Sequence, residues 1–124
     1  VLADSSAVEK DTMSTSLVER KCQPCEGGMP PLEASAAREL LKALNGAWAI
    51  SADGKWLRRE FSFSGFNRTM GFVNAVAWIA NTEGHHPDLE VSYAKCVVNY
   101  STHAINGLSE NDFICAAKID RLVA

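Results

Sequence analysis

The sequence predicts an α+β domain: a four-stranded, mainly antiparallel sheet with three helices on one face, in the order α-β-β-α-β-β-α. Three observations carry that expectation. Two stretches, 32–44 and 64–83, repeat their apolar residues with the period of a helix, and a third helix opens at a capping serine. Between them lie runs that alternate, or that concentrate β-branched and aromatic residues, as strands do. Glycine-bearing corners separate the two kinds of segment.

In the first helix, Leu32, Ala36, Leu40, Leu41 and Leu44 form the stripe of a single buried face, and Asn45-Gly46 supplies the stop through a left-handed glycine. Trp48 to Ala52 and Lys55 to Phe63 read as strands. The Asp53-Gly54 pair between them is the signature of a tight hairpin turn whose two central residues take positive φ. The second helix has Phe66, Met70, Val73, Ala77 and Ala80 as one stripe, with Phe72, Val76 and Ile79 beside it. Gly84 ends it, and Pro87 pushes the preceding residue out of helical geometry. Two more strands follow, about Glu90 to Tyr93 and Cys96 to Ser101, rich in Val and Tyr. Ser109 starts the last helix, with Glu110 and Asp112 in the first turn, where negative charge is favourable.

A chain of 124 residues with 47% hydrophobic content can bury one core without help from disulfides or metal. Residues 1–30 are expected to form a mobile tail, because Ser, Thr, Ala and charge dominate its first part and no apolar period is sustained. The turn-prone Gly27-Gly28-Met29-Pro30-Pro31 marks the entry to a folded domain at 31–124. A net charge of -3 with scattered Lys and Arg offers no basic stripe, so direct nucleic-acid binding is not expected. No window approaches the roughly 18 apolar residues of a membrane span, and there is no apolar core of a secretory signal. A cytoplasmic location is the expectation, with an organelle left open by the tail.

Cys96 and Cys115 fall within predicted strand and helix, where a cysteine is ordinarily a small buried hydrophobe. Cys22 and Cys25 form a CxxC, which is open to three readings: two thiols on a solvated tail, half a zinc site, or a redox pair.

All three histidines lie in one C-terminal window, and none sits on an apolar stripe. His85 and His86 occupy the corner after the second helix, and His103 follows the last strand. Imidazole titrates near pH 6.5, so it can give or take a proton near neutrality at little cost. The same residues could be a plain polar corner, or could hold a metal with Asp88 or Asp112 as the carboxylate. No serine elbow or glycine-rich phosphate loop competes for a catalytic role.

The spacing of His85-His86-Pro87, Tyr93, His103 and Asp112 resembles that of the pterin-4a-carbinolamine dehydratases. So do Ser101-Thr102-His103, Gly107-Leu108-Ser109-Glu110, Phe61-Ser62-Phe63, Phe66-Asn67-Arg68, Gly71-Phe72 and Trp48; together they extend the likeness over 32–122. The resemblance implies dehydration of 4a-hydroxytetrahydropterin to quinonoid dihydropterin, in tetrahydrobiopterin recycling, with no metal or organic cofactor. It implies His85, His86 and His103 as the catalytic set: His85 at the leaving hydroxyl, His103 as the complementary acid or base, and His86 orienting the pterin. Trp48, Asp88 and Asp112 are the candidate substrate-binding residues, with Asp112 also suited to orienting a histidine. Tyr93 is expected to pack in its strand. The family's charged position four before the first histidine is Asn81 here, which stays neutral, and Glu83 is the nearby substitute. A homodimer or homotetramer is implied. Some relatives are transcriptional coactivators or assembly factors, so a protein-interaction module is the alternative function.

Overall fold

The computed structural model describes residues 17–24 and 27–124. Its elements are α1 (Ala34–Leu41), β1 (Ala49–Ile50), β2 (Leu57–Ser62), α2 (Phe66–Glu83), β3 (Asp88–Val91), β4 (Lys95–Tyr100), a 3-10 turn (His103–Ile105) and α3 (Glu110–Leu122). The strands form one antiparallel sheet in the order β1-β2-β4-β3. Two hairpins, β1β2 and β3β4, are therefore joined through their inner strands. This is the α+β order that the periodicities predict.

The β2–β4 register decides which side chains share a face. Leu57 pairs with Tyr100, Arg59 with Val98 and Phe61 with Cys96, and these alternate residues face the helices. Leu57, Cys96, Val98 and Tyr100 are fully buried there, against Phe72 and Val76 of α2 and Phe113, Ile114 and Ala117 of α3. Each large apolar side chain so buried stabilises the fold by roughly 1.5–3 kcal/mol. Phe61 and Phe72 meet at 4.5 Å between ring centroids, which locks α2 to the sheet.

Several local expectations are corrected. In α1 the inward stripe is Ala37 with the partly buried Leu40 and Leu41, Leu44 is buried just beyond the helix, and Ala36 is exposed. Gly46 is not left-handed; the helix instead tightens through Ala43 N–H to Leu40 O and Leu44 N–H to Leu41 O. Asn45 then takes over, donating its N–H to Asp120 and accepting from Ala47. In α2 the buried face is Thr69, Phe72, Val76, Ile79 and Ala80; Phe66 and Ala77 face outward. Phe66 is stacked on Tyr93 instead, at 6.2 Å.

The Asp53-Gly54 corner is wider than a two-residue turn. Only Gly54 takes positive φ, at 74°, because the Asp53 carboxylate accepts from Lys55 N–H and the Ser51 hydroxyl and so fixes its own backbone. Strand β3 begins at Asp88 and ends at Val91, which leaves Tyr93 in the β3β4 turn, 71% exposed rather than packed in a strand. Gly84 does cap α2 in the left-handed conformation, at φ 66°.

Residues 17–24, expected to belong to the tail, lie against the domain. A helical turn at 17–19 inserts Leu17 into the core at 2% exposure, and Val18 and Cys22 pack beside it. These three apolar side chains are too few to announce a periodic element, yet they supply the burial that holds the segment. The expected tail at 1–16, and Cys25, lie outside the described residues.

Candidate active site

Three chain segments end at the same edge of the sheet. Helix α2 delivers His85 and His86 after its glycine cap, β4 runs on into Ser101, Thr102 and His103, and α3 begins at Glu110. Between them is a cleft of about 480 Å³ lined by all three histidines, with Ser101, Thr102 and the 22–24 segment also on its walls.

Behind His85 stands Asp112, whose side chain is fully buried. His85 Nε2 lies 2.6 Å from Asp112 Oδ1, while Oδ2 accepts from the Thr102 hydroxyl at 2.8 Å and from Ser109 N–H at 2.9 Å. A carboxylate taken this far from water needs such partners. Asp112 therefore orients the histidine and completes a helix start at once. Burial pulls the His85 imidazolium down, but the hydrogen bond and charge of Asp112 outweigh it and hold the ring above its ordinary value. His85 also stacks on Tyr100, 5.3 Å between centroids and 11° from parallel, so its ring plane is fixed. With Nε2 committed to Asp112, Nδ1 is the nitrogen left for a ligand.

The other two histidines are exposed. His86 Nε2 lies 3.3 Å from Asn81 Oδ1. His103 opens the 3-10 turn and meets the edge of Trp56 at 5.7 Å. Its loop is closed by a bridge between Thr102 and Gly107, with Asn106 in the left-handed region at φ 53°. Glu83 borders the cleft but is engaged: Lys118 is 2.9 Å from Oε2, and Cys22 N–H donates to Oε1 at 2.8 Å. Burial alone would raise its carboxyl, yet these partners hold it below the usual carboxylate range.

The structure does not bring every expected residue to the cleft. Trp48 is 3% exposed in the core, edge-on to Phe61, with its indole N–H donating to Asp120 at 2.6 Å. Asp120 also binds Arg59 at 2.6 Å, so the buried indole N–H is satisfied within a charged cluster. Trp48 borders a different, larger cavity of about 650 Å³ between α1 and the β1β2 loop, which contains no histidine. Asp88 is exposed at the start of β3, outside the cleft. Asp112, being fully buried, meets the cleft only through the residues it holds, His85 and Thr102. Conversely, no expected role attaches to Thr102, Tyr100 or Trp56, and Cys22 is expected as a tail, zinc or redox thiol rather than on the cleft wall. Thr102 sits next to His103 in the sequence, which is a usable signal; the others are joined to the site only by long-range contacts.

Fold and cleft together define a single α+β domain with a histidine-lined cleft. The chain belongs to the Pterin 4 alpha carbinolamine dehydratase family, whose pattern it matches over residues 30–122. It is 58% identical over 106 residues to a protein of Nitrosomonas europaea provisionally named pterin-4-alpha-carbinolamine dehydratase, covering 86% of this chain and 92% of that one. A protein of the same provisional name from Legionella pneumophila, strain Philadelphia 1, is 51% identical over 90% of this chain and 98% of its own. Among solved structures, a transcriptional coactivator/pterin dehydratase from Brucella melitensis superposes with a TM-score of 0.72 at 30% identity, covering 76% of this chain and 99% of that one. A pterin dehydratase-like protein described as a RuBisCO assembly factor of the alpha-carboxysome shares the fold, with a TM-score of 0.56 at 20% identity over 64% of this chain and 93% of its own.

Proposed function

We propose that this protein dehydrates a 4a-hydroxytetrahydropterin to the quinonoid dihydropterin, with its three histidines as the acid–base set. The observation that carries the reading is the grouping of His85, His86 and His103 around one cleft, with a buried carboxylate bonded to the first of them.

The chemistry assigned to each follows from its surroundings. His85, its charged form favoured by Asp112, donates a proton from Nδ1 to the 4a-hydroxyl as the C4a–O bond breaks and water leaves. His103, exposed and paired only with the Trp56 edge among the described residues, accepts the N5 proton as the C4a=N5 bond forms. One proton is given and one taken, so solvent exchange between the two rings restores the starting state. His86, held toward Asn81, orients the pterin. Glu83 is tied to Lys118 and serves the cleft wall rather than replacing a charged residue at position 81.

By the same reading the reaction belongs to recycling of a tetrahydropterin cofactor, and the protein works as a homodimer or homotetramer. The histidine set favours an enzyme over a pure interaction module, which has no need of it. The test is the rate of loss of the 4a-hydroxy species. His85→Ala and His103→Ala should each lower that rate by about 10²–10⁴-fold, the usual range for a positioned acid or base. Two variants with unchanged rates would remove the mechanism.

A further inference from the structure

Cys22 and Cys115 are 93 residues apart in the chain, and their sulfurs are 3.5 Å apart in space. Neither belongs to the acid–base set. Cys115 is fully buried on α3, whereas Cys22 is partly exposed and lies on the cleft wall. We propose that these two thiols are a reversible disulfide site, closed by a low-molecular-weight disulfide, that fastens the 20–24 segment to α3 beside the histidine cleft.

The approach of the two sulfurs is set by backbone, not by one free rotamer. Cys22 N–H donates to Glu83 Oε1 at 2.8 Å. Gln23 N–H donates to Asn111 Oδ1 at 3.0 Å, and Asn111 Nδ2 returns a bond to Gln23 O at 2.6 Å. Arg20 pairs with Glu110 one residue further on. The segment is thus tied on both sides of Cys22 to the turn of α3 below Cys115. A disulfide needs sulfurs about 2.0 Å apart, so closure asks for a movement of about 1.5 Å, within reach of small side-chain rotations.

The chemistry balances as an ordinary exchange. Cys22, the accessible sulfur, passes its proton to the Cys115 sulfur beside it and attacks the small disulfide RSSR; an S–S bond forms to one R–S group and the other leaves as a thiolate. Cys115 then attacks the Cys22 sulfur, forms the protein disulfide and expels the second thiolate. Two protein thiols are oxidised by two electrons, RSSR is reduced to two RSH, and the two protons lost by the protein go to those products. Cys115 suits the resolving role by position, because its sulfur lies 3.5 Å from that of Cys22 and is buried away from any outside disulfide.

The experiment uses the full chain, incubated with oxidised glutathione and compared with the dithiothreitol-reduced protein. The expected product is lighter by about 2 Da, yields a Cys22–Cys115 cross-linked peptide on non-reducing digestion, and reverts with dithiothreitol. Cys22→Ser and Cys115→Ala should each abolish that peptide; using both keeps the test valid if the buried substitution fails to fold. A Cys22–Cys25 cross-link, a persistent glutathione adduct on Cys22, or no mass change would each overturn the proposal. The readout is a covalent mass, so it stands or falls apart from any pterin turnover.

Discussion

At the scale of the residue, Asp112 is the side chain on which most of the site converges. It holds His85 Nε2 with one oxygen, and Thr102 and the Ser109 amide with the other. Replacing it by Asn removes the charge while keeping the shape. With the Asp112 charge gone and burial left to pull the imidazolium down, the His85 pKa should fall in Asp112→Asn, as read by NMR titration of the ring, and the dehydration rate should fall with it. The stability consequence has a definite sign. A histidine raised in the folded state contributes stability that is fully present below its unfolded pKa, about 6.5, and that is lost as pH rises through the folded value. The cost of Asp112→Asn in urea denaturation should therefore be largest at about pH 5.5–6 and shrink toward alkaline pH. The three histidines and Asp112 are legible as a set only through the spacing that resembles the family, since on their own they read equally as a polar corner and a helix start. Tyr100, which stacks on His85, is not, since an aromatic in a strand reads as core and only the folded register carries it under the ring. Trp48 misled for the opposite reason: its indole finds a carboxylate partner in Asp120, 72 positions away, that no local pattern reveals.

At the scale of the element, all seven expected helices and strands form, and the errors lie in their ends and faces. Helix stripes slipped where small residues left the period ambiguous, as with Ala36 and Ala37. The loop from Thr102 to Gly107 carries His103, and its fit is steric: a Cβ added to Gly107 would lie 2.7 Å from Pro31 Cβ. Gly107→Ala should accordingly destabilise the protein by about 1–3 kcal/mol through overpacking, measured by chemical denaturation. Gly46→Ala makes the contrast. Its Cβ meets nothing within 4 Å and its backbone is not left-handed, so it should be neutral or stabilise by up to about 1 kcal/mol. A sequence reading that treats both glycines as corners cannot separate them; the proximity of Pro31, fixed also by Leu32 N–H to Leu108 O at 2.9 Å, does so.

At the scale of the whole molecule, the segment before the domain proper forms one wall of the histidine-lined cleft. Asn111 and Glu83 hold residues 22–23, so Asn111→Ala should speed amide exchange across 20–24 while leaving β2 and β4 protected, as hydrogen exchange by mass spectrometry would show. Its composition hid this role, because one inserted leucine and a few main-chain bonds do the holding. The sheet has a further consequence. Six register pairs between β2 and β4 join two hairpins that are each local in sequence, and the cleft takes its histidines from the second half of the chain and its 22–24 wall from the first. A cut in the 63–65 linker would split this seam, giving each fragment a raw central edge and leaving all three histidines on one fragment and the 22–24 wall of the cleft on the other. The molecule has an obvious midpoint in its chain and none in its function: complementary fragments would have to find each other before a ligand could find either.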